Sequence, residues 1–542
     1  MSEVRWSVDS LVSRDNALFG FGWIFSESAE LTSVRLVLKS IEGRELGSIL
    51  VEQGKCREDV SRAFSEHPNA LNSGYLVLGA FPETPRSTDT ITLESTFASG
   101  EIVERVIPPQ SVLHFNTKHH SSHNQLIRHQ WSLLFERGLR LIQKGDIASL
   151  IQKIKKYISA RPTAALNRPS DLEKVLNSKE RNDVCLIIDH SLGGGANHYR
   201  DRLVESVVEQ GRTTMTLTFE PSTLSHLLVI QNTRVNHKFV ISDEAFLLEA
   251  MKHLKLTEIV YNTAVSFTKP EKIPELILDL RLRSRARIKI LVHDFFSVCP
   301  SHFLLNAEGS FCNIPDPSVC VKCLPKNPHG FTTLFSAGDI LAWRSVWGAL
   351  LVAADEIVAF SNNSAKLLMR AYPQILAGQI SITPHQVKHL PAETVYIEKT
   401  HTLCIGVVGQ IGYHKGSVFI QNLAREIKRR GSGHRIIVIG AIDVRCEPTV
   451  VSQTGLYSHE EMPAKIGESG ANIMLFPSIC PETFSYVAQE LMDLKLPVAS
   501  FNFGAPAERL ASYPKGLVLS SMDPADVLDQ LILFHKKIYL AN

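Results

Sequence analysis

From residue 183 onward, short apolar runs alternate with stretches of helical period, and this alternation constrains the fold more than any other feature. The runs Val184–Asp189, Met215–Phe219, Phe239–Ile241, Glu258–Tyr261, Ile288–Val292, Asp355–Phe360 and Ile380–Thr383 read as buried strands. A second series follows at Leu403–Val408, Arg435–Ile439, Asn472–Phe476 and Pro497–Ser500. Helical stretches lie between these later runs at Phe419–Arg429, Glu460–Glu468 and Phe484–Leu494, and a last helix covers about Ala525–Leu540. Strand–helix alternation predicts parallel sheets with crossovers. Two series in tandem predict two Rossmann-like, doubly wound domains, at 181–395 and 396–542, facing a cleft. Such sheets bind ligands at the carboxyl ends of their strands.

The first third is different. Val34, Leu36 and Leu38 alternate with Arg35, Val37 and Lys39, and Ile91 and Leu93 with Thr92 and Glu94. Glycines 20, 22, 43, 74 and 100 punctuate the runs. A β-sandwich-like accessory domain over 1–112 is expected. No catalytic constellation stands in it, so scaffolding or carbohydrate binding is its reading. A helical linker region follows at 113–180. Ile127, Trp131, Leu134 and Phe135, then Ile147, Leu150, Ile151, Ile154 and Ile158, recur at helical spacing. Between Lys118 and Arg161 nine Lys or Arg face two acids, Glu136 and Asp146. A solvated basic face is the plain reading; peripheral contact with an anionic membrane through 118–161 is the sharper one. Asn167–Ser170 reads as a linker.

Bulk properties exclude several classes. Net charge over 542 residues is +2, which gives no field for a nucleic acid. The longest apolar run, Trp343–Phe360, is interrupted by Arg344, Asp355 and Glu356 and is a poor membrane span. The first residues carry no signal-peptide pattern, and the nine cysteines are sparse. A cytoplasmic, reducing location is expected, with attachment at the inner membrane face as its peripheral variant.

Four segments carry candidate chemistry. Asp189–Tyr199 holds Gly193, Gly194 and Gly195 between a strand and a helix, where backbone N–H groups can meet an anion. Its spacing does not meet the dinucleotide fingerprint. His293-Asp294-Phe295-Phe296 ends a strand and points a histidine toward the cleft, as a hydrogen-bond donor or a proton shuttle near neutral pH; a structural His-Asp pair is the alternative. Gly409-Gln410-Ile411-Gly412-Tyr413-His414-Lys415-Gly416 brings Lys415 near a helix N-terminus, where a cation can neutralise a diphosphate leaving group. Phe476–Glu490 runs from a strand through a Pro-Ser loop into a helix expected near Thr483. On such a helix Glu482 and Glu490 would lie within about 80° of one side and serve one polyhydroxylated ligand.

These segments resemble the retaining family-4 glycosyltransferases of the GT-B fold, over about 183–540. The strongest parts are Lys415-Gly416 and Glu482 through Glu490. The resemblance implies that Lys415 holds donor phosphate, that Glu482 contacts the transferred sugar, and that Glu490 contacts the ribose. It implies that His293 lies beside the reacting sugar and that Gly194 and Gly195 face the diphosphate or acceptor. Gln410, Gly412, Thr483 and Phe484 complete the donor-binding set. The family often carries an arginine where Gln410 stands, and His414 and Arg445 are the nearby replacements. The implied reaction is sugar transfer from a UDP-, GDP- or dTDP-sugar to a glycan or lipid-linked glycan, with retention, in bacterial surface polysaccharide (O-antigen or capsule) assembly. No Asp-x-Asp pair stands near these segments, so no catalytic metal is expected. A catalytically weak carbohydrate-binding scaffold and a nucleotide-sugar epimerase are the rival readings.

Cys299, Cys312, Cys320 and Cys323 form an insert after His293. Four thiolates can close a structural zinc site. Free thiols and a disulfide are the other two readings. The insert is expected to shape the acceptor side.

Overall fold

The computed structural model describes residues 3–115, 164–176, 183–329, 339–387, 395 and 401–540, apart from positions 28, 30, 56, 167, 251–252 and 456. The helices expected across 118–161, and the membrane contact attached to them, lie outside the described residues.

The accessory domain is a two-sheet sandwich. One sheet runs Glu52–Lys55, Gly74–Ala80, Ala17–Ser26, Val4–Arg14 and Val112–Phe115. The other runs Glu45–Leu50, Leu31–Lys39, Thr90–Phe97 and Ile102–Val106. Val34, Leu36 and Leu38 turn inward with Leu93 and Val77, as the alternation predicts. Val37 is also buried, so the outer face of that sheet is partly covered.

The middle sheet has nine strands. From edge to edge they are Ala164–Ala165, Asn236–Ile241, Ser225–Gln231, Thr213–Glu220, Asp183–His190, Lys255–Tyr261, Arg287–Leu291, Glu356–Ala359 and Ile380–Ile382. It is not the purely parallel sheet expected. Thr213–Glu220 pairs antiparallel with Ser225–Gln231, which pairs antiparallel with Asn236–Ile241. The connection at Pro221–Leu224 is too short for a parallel crossover, which needs a dozen residues or more. From Asp183–His190 toward Ile380–Ile382, every pairing is parallel.

The third sheet is parallel throughout, in the order Val451–Gln453, Arg435–Ile442, Cys404–Ile411, Ile473–Phe476, Val498–Phe501, Gly516–Leu519. In chain order that is 3-2-1-4-5-6, the doubly wound arrangement. Its strands are buried on both faces. Ile405, Val407, Ile436, Val438, Ile473 and Leu475 feed one apolar layer; Cys404, Val408, Ile437, Ile439 and Met474 feed the other. A strand of period two between two helical layers must be apolar at every position, which is why these runs read as continuous.

The apolar run at Trp343 forms the helix Ile340–Ala353, followed by the strand Glu356–Ala359. Among the described residues no helix is long and apolar enough to cross a membrane.

Candidate functional site

Strand order locates two crevices. In the third sheet the order reverses between Cys404–Ile411 and Ile473–Phe476. The segments that leave their carboxyl ends are Gly412–Gly416 and Pro477–Ser485. In the middle sheet the reversal falls between Asp183–His190 and Lys255–Tyr261. There the glycine loop at 193–195 lies beside Asn262 and Thr263. Loops at such reversals splay apart and leave room for a ligand.

The glycine loop is held from below by a fully buried Asp189. Its carboxylate accepts from Asn197 at 2.7 Å, Arg200 at 2.9 Å and Asn262 at 2.8 Å. Asn197 in turn accepts from the Gly193 N–H at 2.7 Å. Gly193 and Gly194 have φ of 86° and 89°, and a side chain on either would meet open space. Gly194 therefore presents bare backbone to open space. Gly195 does not. A Cβ there would lie 2.7 Å from the Tyr486 ring, so Gly195 accommodates the other unit rather than a ligand.

In the third unit, Lys415 closes a short 3-10 turn and Gly416 follows at φ 85°. The helix Ser417–Arg430 starts there, so Lys415 sits at its amino end. The turn packs on the neighbouring loop: the His414 carbonyl accepts from the Ile479 N–H at 3.0 Å. Lys415 and Glu482 both act electrostatically on the buried Cys480 thiol, which is pushed up to about 12 chiefly by burial. Gln410 is exposed at the end of its strand, and Gly412 lies against the Asp443 carboxylate. Among the described residues no ion pair engages Lys415 or Glu482.

The helix expected near Thr483 begins instead at Tyr486. Ser485 stands at φ 67°, ψ 104°, which breaks the helix, and its hydroxyl caps the Ala488 N–H. Glu482 is thus a loop residue, and the expected common helix side for Glu482 and Glu490 does not exist. Gly504, at φ 73°, packs under Glu482; a Cβ there would lie 2.8 Å from the Glu482 nitrogen. Glu490 is on the helix but only 4% exposed, and its carboxylate meets His459 Nε2 at 2.7 Å.

The two crevices meet. Thr483 Oγ1 donates to the His293 carbonyl at 2.8 Å, and Ser364 Oγ donates to the Thr483 carbonyl at 3.3 Å. Glu508 accepts from Asn362 and Asn363. Phe484 is buried among Leu291, Val358 and Phe360 of the middle sheet. The loop that carries Glu482 meets the strand end that carries His293 through Thr483, and the Lys415 turn meets the same loop at Ile479. The seam between the units is tightly packed at Thr483 and Phe484. Beside them a recess of about 550 Å³ opens, lined by His385, Phe484, Gln489, Asp493 and Arg509; Lys415 and Glu482 are not among its walls.

His293 sits in an aromatic stack with Phe360 at 4.6 Å, His385 at 5.2 Å and Tyr199 at 5.1 Å. Its Nε2 is buried and has no hydrogen-bond partner among the described residues. Burial, and then His385, hold its pKa well below the usual histidine range. Burial thus favours the neutral imidazole, which can donate or accept a hydrogen bond. The neighbouring Asp294 is pushed up to about 6 by burial, with its oxygens accepting from Thr263 at 2.7 Å and the Phe296 N–H at 2.8 Å.

The cysteine insert reaches across to the Lys415 turn of the third unit. Phe303 stacks on His414 at 4.1 Å with planes 6° apart. Tyr413 donates to the Gly309 carbonyl at 3.3 Å and stacks on His329 at 4.8 Å. The insert therefore clasps the Lys415 turn. Cys299 is pushed up to about 12, and Cys312 and Cys320 are raised, all chiefly by burial. The four cysteines are not joined in disulfides, and among the described residues no three of His, Cys, Asp or Glu are grouped to hold a metal ion.

Sequence reasoning missed His385, Tyr199, Phe360 and Tyr486. Tyr486 bonds His385 Nδ1 at 3.0 Å and Arg202 at 3.1 Å across the seam. No local signal marks them, because their partners are about 100 to 284 positions away.

The sequence matches no protein-family model and no curated protein. Its shape is similar to HepE of Anabaena in complex with UDP-glucose, at 13% identity and a TM-score of 0.39, over 66% of this chain and 90% of that one. A glycosyltransferase of Rickettsia africae gives 12%, 0.42, 66% and 92%. The lipopolysaccharide outer core galactosyltransferase WaaB gives 11%, 0.39, 65% and 90%. The doubly wound fold of this chain rests on its own strand order.

Proposed function

We propose that this chain is a glycosyltransferase that moves a sugar from a nucleotide-sugar to a glycan or lipid-linked glycan. The observation that carries the reading is the meeting of two strand-order reversals, with Lys415 and Glu482 on one side and His293 on the other. In this reading the donor diphosphate lies at the Gly412–Gly416 turn. Lys415 and the amino end of Ser417–Arg430 stabilise the charge that develops as the sugar–phosphate bond breaks. Glu482 orients the sugar, and Glu490 turns from His459 to the ribose. Gly194 offers backbone N–H on the facing wall. Neutral His293 holds the sugar by hydrogen bonding.

The acceptor oxygen forms its bond to the anomeric carbon on the face that the phosphate leaves. Its proton passes to the departing phosphate oxygen, which gives retention without a protein nucleophile. Catalysis then consists of positioning and charge stabilisation, with no metal assigned to the reaction. Assembly of a surface polysaccharide is the setting proposed.

A binding scaffold without turnover is the second reading. The packed contact of Thr483 and Phe484 across the seam favours it.

The deciding experiment incubates the purified chain with UDP-, GDP- and dTDP-sugars and follows nucleotide release, with and without glycan acceptors. Release that Glu482→Gln abolishes, with donor binding that Lys415→Ala weakens, is the expected result. Glycan binding with no donor bound and no release would establish the scaffold instead.

A further inference from the structure

The accessory β domain does not hang free. Arg14 donates to the Leu224 carbonyl at 2.7 Å and to the Ser242 carbonyl at 3.3 Å, and Val12 and Ala17 join the core of the middle unit. The domain also touches the third unit. Arg445 donates to the Pro68 carbonyl, and Gly54, at φ 86°, packs so that a Cβ would lie 3.3 Å from the Asp443 carbonyl. One β domain thus bridges both Rossmann-like units.

The place of the second contact is informative. Asp443 follows the strand Arg435–Ile442, at the carboxyl edge where ligands bind. Its backbone N–H bonds the Ile411 carbonyl at 3.1 Å, and its carboxylate lies 3.3 Å from where a Gly412 side chain would stand. The β domain therefore docks on the rim of the Lys415 turn. Lys55 is the residue next to Gly54 at that rim. Its ammonium is half-exposed and, among the described residues, is held by Glu52 alone at 2.5 Å, three positions away. Exposed pairs of this kind are weak and exchange partners readily.

A nucleoside diphosphate brings at least two negative charges to this turn, and Lys415 supplies one positive charge. Of the two nearby replacements expected from sequence, one is uncharged and the other donates to the accessory domain. His414 is stacked under Phe303 and held near 3 by burial, then by Lys415 and Lys55, so it is neutral. Arg445 engages Pro68.

We infer that Lys55 of the accessory domain is a second cation of the diphosphate site, so that the site is completed by a domain outside the two Rossmann-like units. The inference rests on the reading of the Lys415 turn as the diphosphate site. On diphosphate binding, Lys55 leaves Glu52 for a phosphate oxygen, and the β domain contributes to donor affinity as well as to holding the two units together.

The test titrates UDP, GDP and dTDP, and the matching unphosphorylated nucleosides, into the full chain by calorimetry. Lys55→Ala is expected to weaken the preferred diphosphate about tenfold, and to leave nucleoside binding and the melting temperature of the free chain unchanged. Lys55→Arg restores most of the loss. Equal diphosphate affinity in wild type and Lys55→Ala, while Lys415→Ala loses it, overturns this inference and spares the site reading. No diphosphate binding by the wild type overturns the site reading and this inference with it.

Discussion

Gly416 offers a direct measurement of whether the two switch-point loops of the third unit truly pack. At φ 85° it occupies the left-handed region, and a Cβ there would lie 2.1 Å from the Pro477 carbonyl oxygen. Gly416→Ala is therefore destabilising in two ways. Left-handed backbone costs a residue with a side chain about 1–3 kcal/mol. Forcing a methyl group against a carbonyl that cannot retreat costs about 1–3 kcal/mol more. Gly431 separates the two effects. It ends the same helix at φ 60°, with nothing within 4 Å of its would-be Cβ. Gly431→Ala meets only the backbone cost.

The expected result is a loss of about 2–6 kcal/mol for Gly416→Ala against about 1–3 for Gly431→Ala, the clash accounting for the difference, read by urea unfolding. In a thermal melt the first corresponds to a drop of about 4–24 °C, at about 2–4 °C per kcal/mol for units of this size. Equal losses for the two variants would mean that Pro477 does not stand over Gly416. The loops would then be apart, and the geometry that joins Lys415 to Glu482 would fail.

Two further predictions concern pH. His302 and His385 are held near 3, chiefly by burial, and His293 is lowered in the same way. An unfolded chain protonates these rings near pH 6.5 and the folded one does not, so stability falls as pH drops below 6.5. Between pH 7.5 and 5.5, His302 and His385 together cost about 3 kcal/mol; a urea midpoint that does not fall over this interval refutes the buried, neutral seam. Asp294 acts oppositely: its folded value of about 6 lies above the usual carboxylate value, so its contribution is full below pH 4 and is lost as pH rises through 6. Asp294→Asn should stabilise the protein at pH 7.5 by up to about 3 kcal/mol and change little at pH 4, while equal effects at both pH values would refute the assignment.

What was legible in the sequence follows the range of the interactions. Strands of the third unit could be read because burial on both faces makes Leu403–Val408 and its neighbours continuously apolar. Gly416 and Lys415 could be read because a strand-to-helix turn is built from adjacent residues. The hairpin through Ser225–Gln231 was missed because its strand is apolar on both faces like its parallel neighbours, so periodicity alone does not give direction. The helix start was misplaced because Ser485 takes a left-handed φ that its residue type does not announce.

Contacts between units had no local signature at all. Gly195 looked like a ligand-facing glycine and proved to be the space that Tyr486 fills, 291 positions later in the chain. The same small residue serves either end, since both need a close approach to backbone. That ambiguity reaches the function. A seam that uses Gly195, Thr483 and Phe484 to hold the units together must part there if an acceptor is to reach His293. The contacts at stake include the Thr483 and Ser364 hydroxyls, the Glu508 bonds to Asn362 and Asn363, the Tyr486 bonds to His385 and Arg202, and the packing of Phe484 and Tyr486. Each polar bond exchanges with water at a net cost of about 0.5–1.5 kcal/mol. Exposing the Phe484 side chain costs more, about 1.5–3 kcal/mol from full burial. On the proposed reading, a bound donor and acceptor must together offset these polar bonds and the burial of Phe484 before the seam can part at His293.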